Sequence, residues 1–475
     1  MIVDTGFRRV RIALFFLGLI GTLICWLKGS PEPAVHCYWL LPLVFGFLHL
    51  LIKKIYKYEA GMGLLIFEII AFLRYVVTPV VTCIIHKYDG HVWATTNLYT
   101  ESVFYMIFEL VVVYLVMYFL IPYVNKKSIK EHDSEDNIIY LGKFGVIKAI
   151  IVVCFALVLI SNAPIRDMLF NFNVTSEDVS NITYTLSEYR SQIPGEYRIV
   201  YYLGLIIIYV QILKIIKENR ILSDWMKFVF VVIASMAYVS CGWSNGKSVS
   251  RWSILAAVLA MVYVLLYFFP KRRKFIAISG AVTVIFSILL GTFYKRIAHG
   301  MSLSFWEAFE TYLTPSALNE YFAGVFPVGN GINSVMQCKD GRISTFLYDT
   351  VANIPKLLSM LGIVGESTAT FFGQNTGHIE LIIPNIAMSY YIFSFLGCFL
   401  YTAVLVWLMV VAQTKMKTSL SLYKRLMLFQ IVFWCALSMA VNVQIIQTNC
   451  WKYVIGLILI TMDERINIKL GTRRS

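Results

Sequence analysis

The sequence predicts an all-α polytopic membrane protein with about 12 transmembrane helices and both termini in the cytoplasm. Of its 475 residues, 59% are hydrophobic and only 14% are charged, whereas soluble globular domains are about half apolar and about a quarter charged. The apolar residues also form runs close to the roughly 20 residues that cross a bilayer as a helix. Composition and run length together exclude an ordinary soluble domain.

Twelve apolar runs follow one another, and we predict that they form a single membrane domain over residues 1–475. The last run has a short apolar core and follows the polar residues Gln444 and Gln447, so a partly re-entrant segment is the alternative there. The predicted spans are residues 11–27, 34–52, 61–86, 102–124, 144–161, 198–217, 225–242, 251–270, 274–294, 385–411, 422–442 and 445–463.

Basic residues set the predicted orientation, because Lys and Arg in short loops resist translocation across the membrane. They cluster before the first span, in every second connection and in the C-terminal tail, so most of the 41 fall on one face, the predicted cytoplasmic side. This bias, together with anionic lipid headgroups, explains the net charge of +14. We therefore expect membrane lipids as partners of the basic residues, and no nucleic acid.

The longest connection, residues 295–383, lies between spans nine and ten on the predicted extracytoplasmic side. Bulky apolar residues recur there at helical spacing over residues 304–322 and 343–361, with breaks at Thr314-Pro315 and Asn353-Ile-Pro355. This pattern predicts short amphipathic helices at the membrane surface, and Pro327-Val-Gly-Asn-Gly331 between them predicts a turn. Because loops on a rigid scaffold often carry function, we expect the site in this loop.

Few cations lie on the predicted extracytoplasmic face, and most of these stand close to the ends of spans. Arg binds phosphate through a planar fork of donors and Lys binds it as a point charge, which makes these residues candidates for holding a lipid diphosphate. The alternative is that they snorkel to lipid headgroups. The candidates are Arg190, Lys247, Arg251, Lys295 and Arg296 near span ends, with Arg342 inside the long loop.

His378 is the candidate base, because its ordinary pKa near neutrality allows it to accept a proton from a hydroxyl. It lies near the end of the long loop, in the polar stretch Gly373-Gln-Asn-Thr-Gly-His378, two residues before Glu380. Glu366, Glu380 and Asp349 are weaker candidates because solvated carboxylates titrate near 4. The alternative is that this loop histidine has no role.

Four ionisable residues fall inside predicted spans, where charges are unfavourable unless they are paired. They are Glu68 and Arg74 in span three, Glu109 in span four and Lys148 in span five. Arg74 and Glu109 form one conceivable pair. Structural ion pairs and a polar cavity open to the outer face are both compatible with this pattern.

Neither a metal nor a cofactor is expected. The seven histidines are scattered without ligand spacing, there is no His-Glu-x-x-His, and there is no glycine-rich nucleotide fingerprint. The missing nucleotide site argues against ATP-driven transport within this chain. The first outer connection contains Glu32 but no acidic pair, which disfavours glycosyltransferases that bind a metal there.

One order of segments in the second half of the chain points to a family. A short outer Asn245-Gly-Lys-Ser-Val-Ser-Arg251 is followed by two spans, Tyr294-Lys-Arg296 and the long loop. Gly377-His378, Ile383-Pro384 and Tyr390-Tyr391-Ile-Phe-Ser-Phe-Leu-Gly397 come next. This layout resembles the oligosaccharide repeat-unit polymerases of bacterial capsule, exopolysaccharide and O-antigen synthesis, which are related to the O-antigen ligases. The motifs are short and degenerate.

The resemblance implies roles for three residues: Arg251 and Arg296 hold the lipid diphosphate, and His378 is the base. It also implies a multi-pass protein of the bacterial cytoplasmic membrane that acts on polyprenyl-diphosphate-linked oligosaccharides, with the flippase and chain-length regulator of the same pathway as partners. Two departures stand out. Four residues separate Gly246 from Arg251, so Lys247 is an alternative to Arg251, and Ile379 replaces the Asn that usually follows the ligase histidine.

Three other interpretations remain open from sequence. A polysaccharide flippase or other secondary transporter suits twelve spans, although no repeat symmetry is visible and a long outer loop is not needed for transport. A ligase or another lipid-donor glycosyltransferase differs only in its acceptor. A structural membrane subunit is the third.

Overall fold

The structure, a computed structural model, describes residues 2–53, 55, 61–131, 144–169, 194–242, 251–298, 306, 310, 313–337, 341–351, 354, 357–377 and 382–472. Of residues 2–8, 125–131, 251, 287–298, 358 and 467–472 the backbone alone is described. The regular structure over these ranges is helical, without a strand, which confirms the predicted all-α class.

Twenty α-helices are present in the described ranges. They are α1 (Ile2–Lys28), α2 (Leu40–Leu51), α3 (Met62–Phe72), α4 (Thr78–Ile85), α5 (Thr96–Glu131), α6 (Val146–Ser161), α7 (Ala163–Arg166), α8 (Gly195–Glu218), α9 (Asp224–Gly242), α10 (Arg251–Phe268), α11 (Arg273–Ala298), α12 (Pro315–Phe322), α13 (Val325–Met336), α14 (Arg342–Val351), α15 (Leu357–Leu361), α16 (Thr368–Thr376), α17 (Asn385–Phe393), α18 (Leu400–Thr418), α19 (Leu422–Ala436) and α20 (Val443–Thr472). A π-helical turn, Leu73–Val77, joins α3 to α4.

Seven helical segments in the described ranges are long and apolar enough to cross a bilayer. An eighth is added if Trp252–Phe268 and Pro270–Phe286, which bend by 113° at their junction, form one broken span. The chain therefore has the architecture of a multi-pass membrane protein. The seven are Arg9–Lys28, Met62–Ile85, Thr96–Val124, Gly195–Glu218, Asp224–Gly242, Phe395–Thr418 and Val443–Ile466.

The predicted span at residues 385–411 is not one continuous helix. The chain leaves α17 at Ser394, whose φ is +61°, and passes through a 3₁₀ turn, Phe395–Gly397, before α18 begins. The Ser394 backbone N–H caps α17 by donating to the Tyr390 carbonyl at 2.8 Å. An uninterrupted apolar run hides this break, because hydropathy does not register a single residue with positive φ.

The turn predicted at Pro327-Val-Gly-Asn-Gly331 is also wrong, because these residues lie in the buried helix α13. Pro327 falls in the first turn, where a helix needs no N–H donor. The glycines allow close packing. A Cβ on Gly329 would lie 2.6 Å from Tyr99 Cδ1, and one on Gly331 would lie 2.8 Å from Ala387 Cβ. Tertiary contacts here override the turn propensity.

The other helices of the long loop follow the prediction more closely. Thr314 caps α12 by accepting a hydrogen bond from the Ala317 N–H, and Pro315 is the first helical residue. The second predicted helix is divided between α14 and α15. The last helix, α20, continues unbroken over 30 residues, and its segment Val443–Ile466 is long and apolar enough to cross a bilayer.

The chain divides into two compact units. Unit 1 comprises Met1–Ser134, Glu310–Thr418 and Ile431–Cys450, and unit 2 comprises Glu135–Phe309, Ser419–Gln430 and Trp451–Ser475. In unit 1, α5 packs against α13 and α18, and α13 packs against α16 and α17. In unit 2, α8 packs against α6 and α9. Most helices of the long loop therefore belong to unit 1.

Candidate functional site

An ion pair lies in the apolar interior of unit 1. Arg74 Nη1 is 3.0 Å from Glu109 Oε2, and both side chains are buried, which confirms the predicted pair. Tyr75 donates to Glu109 Oε2 at 3.3 Å, and Thr402 donates to the other carboxylate oxygen. Arg74 lies in the π-helical turn between α3 and α4. Such turns insert one extra residue and are frequent at functional sites.

Arg74 and Asn385 together satisfy the backbone of a buried connection, residues 437–442, between α19 and α20. Arg74 Nη1 donates to the Met439 carbonyl at 2.8 Å. The Asn385 amide donates to the carbonyls of Ser438 and Val441, and its oxygen accepts from the Val443 N–H at 2.7 Å. Buried non-helical backbone has neither a helical partner nor water, and these bonds satisfy its polar groups instead. They fix the position where α20 begins.

The other predicted intramembrane charges also have partners. His49 Nε2 lies 2.9 Å from Glu68 Oε2, and Tyr114 donates to the same oxygen at 2.7 Å. In unit 2, Lys148 Nζ lies 2.7 Å from Asp463 Oδ2. These contacts support structural pairing as the explanation for the predicted charges.

Several predicted extracytoplasmic connections meet at one end of unit 1. The Glu32 N–H donates to the His86 carbonyl, and the Tyr88 N–H donates to the Glu32 carbonyl, each at 2.8 Å. The Ser316 N–H, at the start of α12, donates to Asp89 Oδ1 at 3.1 Å. The connection after α4 therefore contacts both the first outer connection and the long loop.

A cleft opens at this end of unit 1, and aromatic and polar side chains form its walls. It contains about 300 Å³ of empty space, a volume that includes open solvent at its mouth. Its interior is narrow, with room for only a water molecule or two. The lining residues are Tyr88, His91, Trp93, Glu320, Pro327, Asn330, Phe372 and Ile382.

Asn330 on α13 holds one wall of the cleft in place. Its oxygen accepts from the Trp93 N–H at 3.0 Å and from the Tyr99 hydroxyl at 2.6 Å, and its amide donates to the His91 carbonyl at 2.7 Å. The His91 and Trp93 rings stack with centroids 5.0 Å apart. Burial, followed by the Glu320 carboxylate, raises the pKa of the Tyr88 phenol, so Tyr88 stays neutral.

Asp349 is a buried carboxyl group in the long loop. Its oxygens accept from the Thr368 N–H at 3.1 Å, from the Thr368 hydroxyl at 2.7 Å and from the Gln444 amide at 2.7 Å. Burial raises the pKa of Asp349 to about 7, although the bonds from Thr368 and Gln444 oppose that shift. The expectation of a solvated carboxylate is therefore wrong for Asp349, whereas Glu366 is exposed.

Four of the eight predicted site residues lie outside the described part of the chain, and three more have no described side chain. His378, Glu380, Lys247 and Arg190 fall in ranges that are not described, and Arg251, Lys295 and Arg296 are described in backbone only. Arg251 begins α10, and Lys295 and Arg296 lie in the last turns of α11. Arg342, the first residue of α14, has a described and exposed side chain.

Sequence reasoning missed the cleft residues, which come from segments far apart in the chain. The available signal was the run Tyr88-Asp-Gly-His-Val-Trp93, which places three aromatic or imidazole rings in one short extramembrane connection. No protein-family model matches the chain, and no curated protein or solved structure matches it either.

Breaking the Arg74–Glu109 pair should destabilise the protein strongly. Arg74→Met leaves the Glu109 carboxylate buried without its cation, which we expect to lower the free energy of unfolding by about 3–5 kcal/mol. Thermal unfolding of the purified protein in detergent measures this loss.

The matched control is Lys214→Ala. Lys214 lies 3.9 Å from Glu218 in a solvent-accessible pair, so its loss should cost less than about 1 kcal/mol. Equal destabilisation by the two variants would contradict a special role for the buried pair.

Proposed function

We propose that this protein polymerises polyprenyl-diphosphate-linked oligosaccharide repeat units by glycosyl transfer at the outer face of the bacterial cytoplasmic membrane. The product is a capsular, exo- or O-antigen polysaccharide. The single observation that carries the proposal is the cleft where predicted extracytoplasmic connections meet. Ile382, the residue of the cleft wall that comes last in the sequence, lies four positions beyond His378.

The lining of the cleft suits a carbohydrate. Aromatic rings such as Trp93 and Phe372 pack against the apolar face of a sugar ring, and carboxylate, imidazole and phenol groups bond its hydroxyls. Glu320, His91 and Tyr88 supply these polar groups.

The resemblance to the oligosaccharide repeat-unit polymerases suggests how the glycosyl transfer proceeds. In the proposed reaction a hydroxyl oxygen of the incoming unit attacks the anomeric carbon of the growing chain. The bond from that carbon to the diphosphate oxygen breaks, and the polyprenyl diphosphate leaves. His378 takes the hydroxyl proton, and Arg251 and Arg296 stabilise the negative charge that develops on the departing diphosphate.

Five further residues complete the proposed substrate site. Cations near the diphosphate would add to its binding, and a carboxylate beside His378 would bond sugar hydroxyls. They are Lys247, Lys295, Arg190 and Arg342 as cations, and Glu380 as the carboxylate. We also propose that the protein crosses the membrane about twelve times with both termini in the cytoplasm. Its proposed protein partners are a flippase and a chain-length regulator of the same pathway.

His378→Ala should abolish chain extension without changing the amount of protein in the membrane, because the acceptor hydroxyl loses its base. A strain that lacks the gene, complemented with wild type or with this variant, tests the prediction on a gel of surface glycan. We expect a ladder with wild type, and single lipid-linked units outside the membrane with the variant.

His36→Ala is the control, because His36 is an exposed histidine in the first outer connection; it should restore a full ladder. A normal ladder from His378→Ala would remove His378 from the mechanism. Accumulation of units on the inner leaflet of the deletion strain would replace the polymerase proposal by the transporter interpretation.

Trp93→Ala should shorten the glycan chains. Removing the indole takes away one aromatic face of the cleft, and we expect extension to slow by about tenfold, equivalent to roughly 1.4 kcal/mol of lost binding. The modal chain length on the same gel measures the effect.

Val92→Ala is the matched variant, because Val92 is exposed and does not line the cleft. If both variants gave the same chain length at equal protein level, the cleft would have no part in glycan binding.

A further inference from the structure

Asp349 ties together three helices of unit 1. It lies on α14, and its carboxylate oxygens accept hydrogen bonds from Thr368 at the start of α16 and from Gln444 near the start of α20. The Asp349 side chain is fully buried. Asp349 therefore links α16 to α14 and α20, while α16 also packs against α13, where the Asn375 amide donates to the Ser334 carbonyl at 2.7 Å.

Helix α16 forms a wall of the cleft. Phe372 on this helix lines the cleft, and its ring meets the Trp93 ring edge-on at a centroid distance of 6.2 Å. Two residues beyond the end of α16, the chain reaches His378. The cleft interior is too narrow for a sugar ring, so one of its walls has to shift for a sugar to enter, and α16 carries one of these walls.

Ionisation of Asp349 weakens the docking of α16. Three uncharged donors bond the carboxyl group, and none of the described contacts of Asp349 is with a cation. An ionised carboxylate in such a site is disfavoured by desolvation. Moving α16 away hydrates the carboxylate, so the charged form favours the open arrangement.

The sign of the pH dependence follows from linkage. The pKa of Asp349 is about 7 in the docked arrangement and 3.8 is the ordinary value. Between these two values the docked form binds more protons than a hydrated one, so docking loses stability as the pH rises through that interval and continues to weaken just above 7. Below about 4 both forms are protonated and the full contribution is present.

We propose that Asp349 is a positioning residue of the glycan site, which holds α16 docked when its carboxyl group is neutral and releases this wall of the cleft when it is ionised. This role in glycan entry rests on the proposed polymerase function. The site would then widen for an acceptor sugar at neutral or higher external pH and stay narrow in acid.

Other ionisable groups near Asp349 do not explain the same transition. The nearby phenols are those of Tyr401 on α18, which interacts electrostatically with Asp349, Tyr348 on α14 and Tyr391 on α17, and free phenols ionise only near pH 10. Arg342 and Glu366 are exposed. Helix α16 itself contains no acidic or basic side chain, and α20 contributes the uncharged Gln444 to Asp349.

Hydrogen exchange of the purified full-length protein in detergent tests the proposal without any substrate. The segment to follow is α16, at about pH 6 and about pH 8.5, after correction for the intrinsic exchange rate. In wild type we expect protection of α16 to fall by about tenfold or more between these values.

Asp349→Asn should remove that fall and keep α16 protected at both pH values, because an amide has the same shape and cannot ionise. Glu366→Gln, which alters an exposed carboxylate beside the same helix, should behave as wild type. The proposal is overturned if wild type shows no pH-dependent fall, or if Asp349→Asn shows the same fall.

A second variant tests the role of Asp349 in case Asp349→Asn does not fold. Thr368→Val removes the hydroxyl that donates to Asp349 Oδ2, and this bond favours the ionised form. The loss of protection in Thr368→Val should therefore have its midpoint at higher pH than in wild type. An unchanged or lower midpoint would contradict the role of Asp349.

Chain extension separates this proposal from the proposed function. If wild type polymerises glycan, Asp349→Asn should give shorter chains than wild type at about pH 8 although its melting temperature is not reduced. Wild-type chain length from this variant would overturn the role in glycan entry. If wild type makes no polymer while the exchange result holds, the polymerase function fails and the pH-sensitive tie between the helices stands.

Discussion

The buried connection between α19 and α20 is the constraint on which the arrangement of unit 1 depends. Residues 437–442 are non-helical and buried, and an apolar environment offers their backbone no water. Arg74 and Asn385 supply the missing partners. Because Arg74 brings a positive charge, it requires Glu109 beside it, and Glu109 in turn uses Tyr75 and Thr402 to satisfy its oxygens. Four segments of the chain are fixed by this one requirement.

The same constraint reaches the end of the unit where the cleft lies. Once the start of α20 is fixed, Gln444 is placed where it donates a hydrogen bond to Asp349. Asp349 also accepts a hydrogen bond from the Thr368 hydroxyl of α16. Helix α16 then brings Phe372 to the cleft, opposite the wall that Asn330 organises from α13. The interior ion pair and the cleft are thus linked through these hydrogen bonds and the chain segments that carry them. Asp349 is a weak point in this series, since its ionised form has no described cation to balance it.

Part of this arrangement follows from sequence, because it depends on local pattern. Hydropathy indicates the long apolar helices, the rule that intramembrane charges must pair makes Arg74 with Glu109 one conceivable pair, and Thr314-Pro315 marks a break, where α12 begins. The remainder depends on contacts between distant segments. In the sequence, the glycines of α13 indicate a turn. Their role becomes clear only from the structure, where Tyr99 and Ala387 pack against them. The polar sequence of the long loop does not predict that Asp349 is buried. The apolar run around Ser394 does not predict a break in the helix there.

The central claim is that lipid-linked glycans are both donor and acceptor, so no nucleotide sugar is required. The most direct measurement places the purified protein in liposomes with lipid-linked repeat units from its own host, without nucleotides, and follows the size of the glycan. The account predicts a ladder of oligomers, with one polyprenyl diphosphate released for every new linkage. Repeat units that cross the bilayer but keep their original size would contradict it.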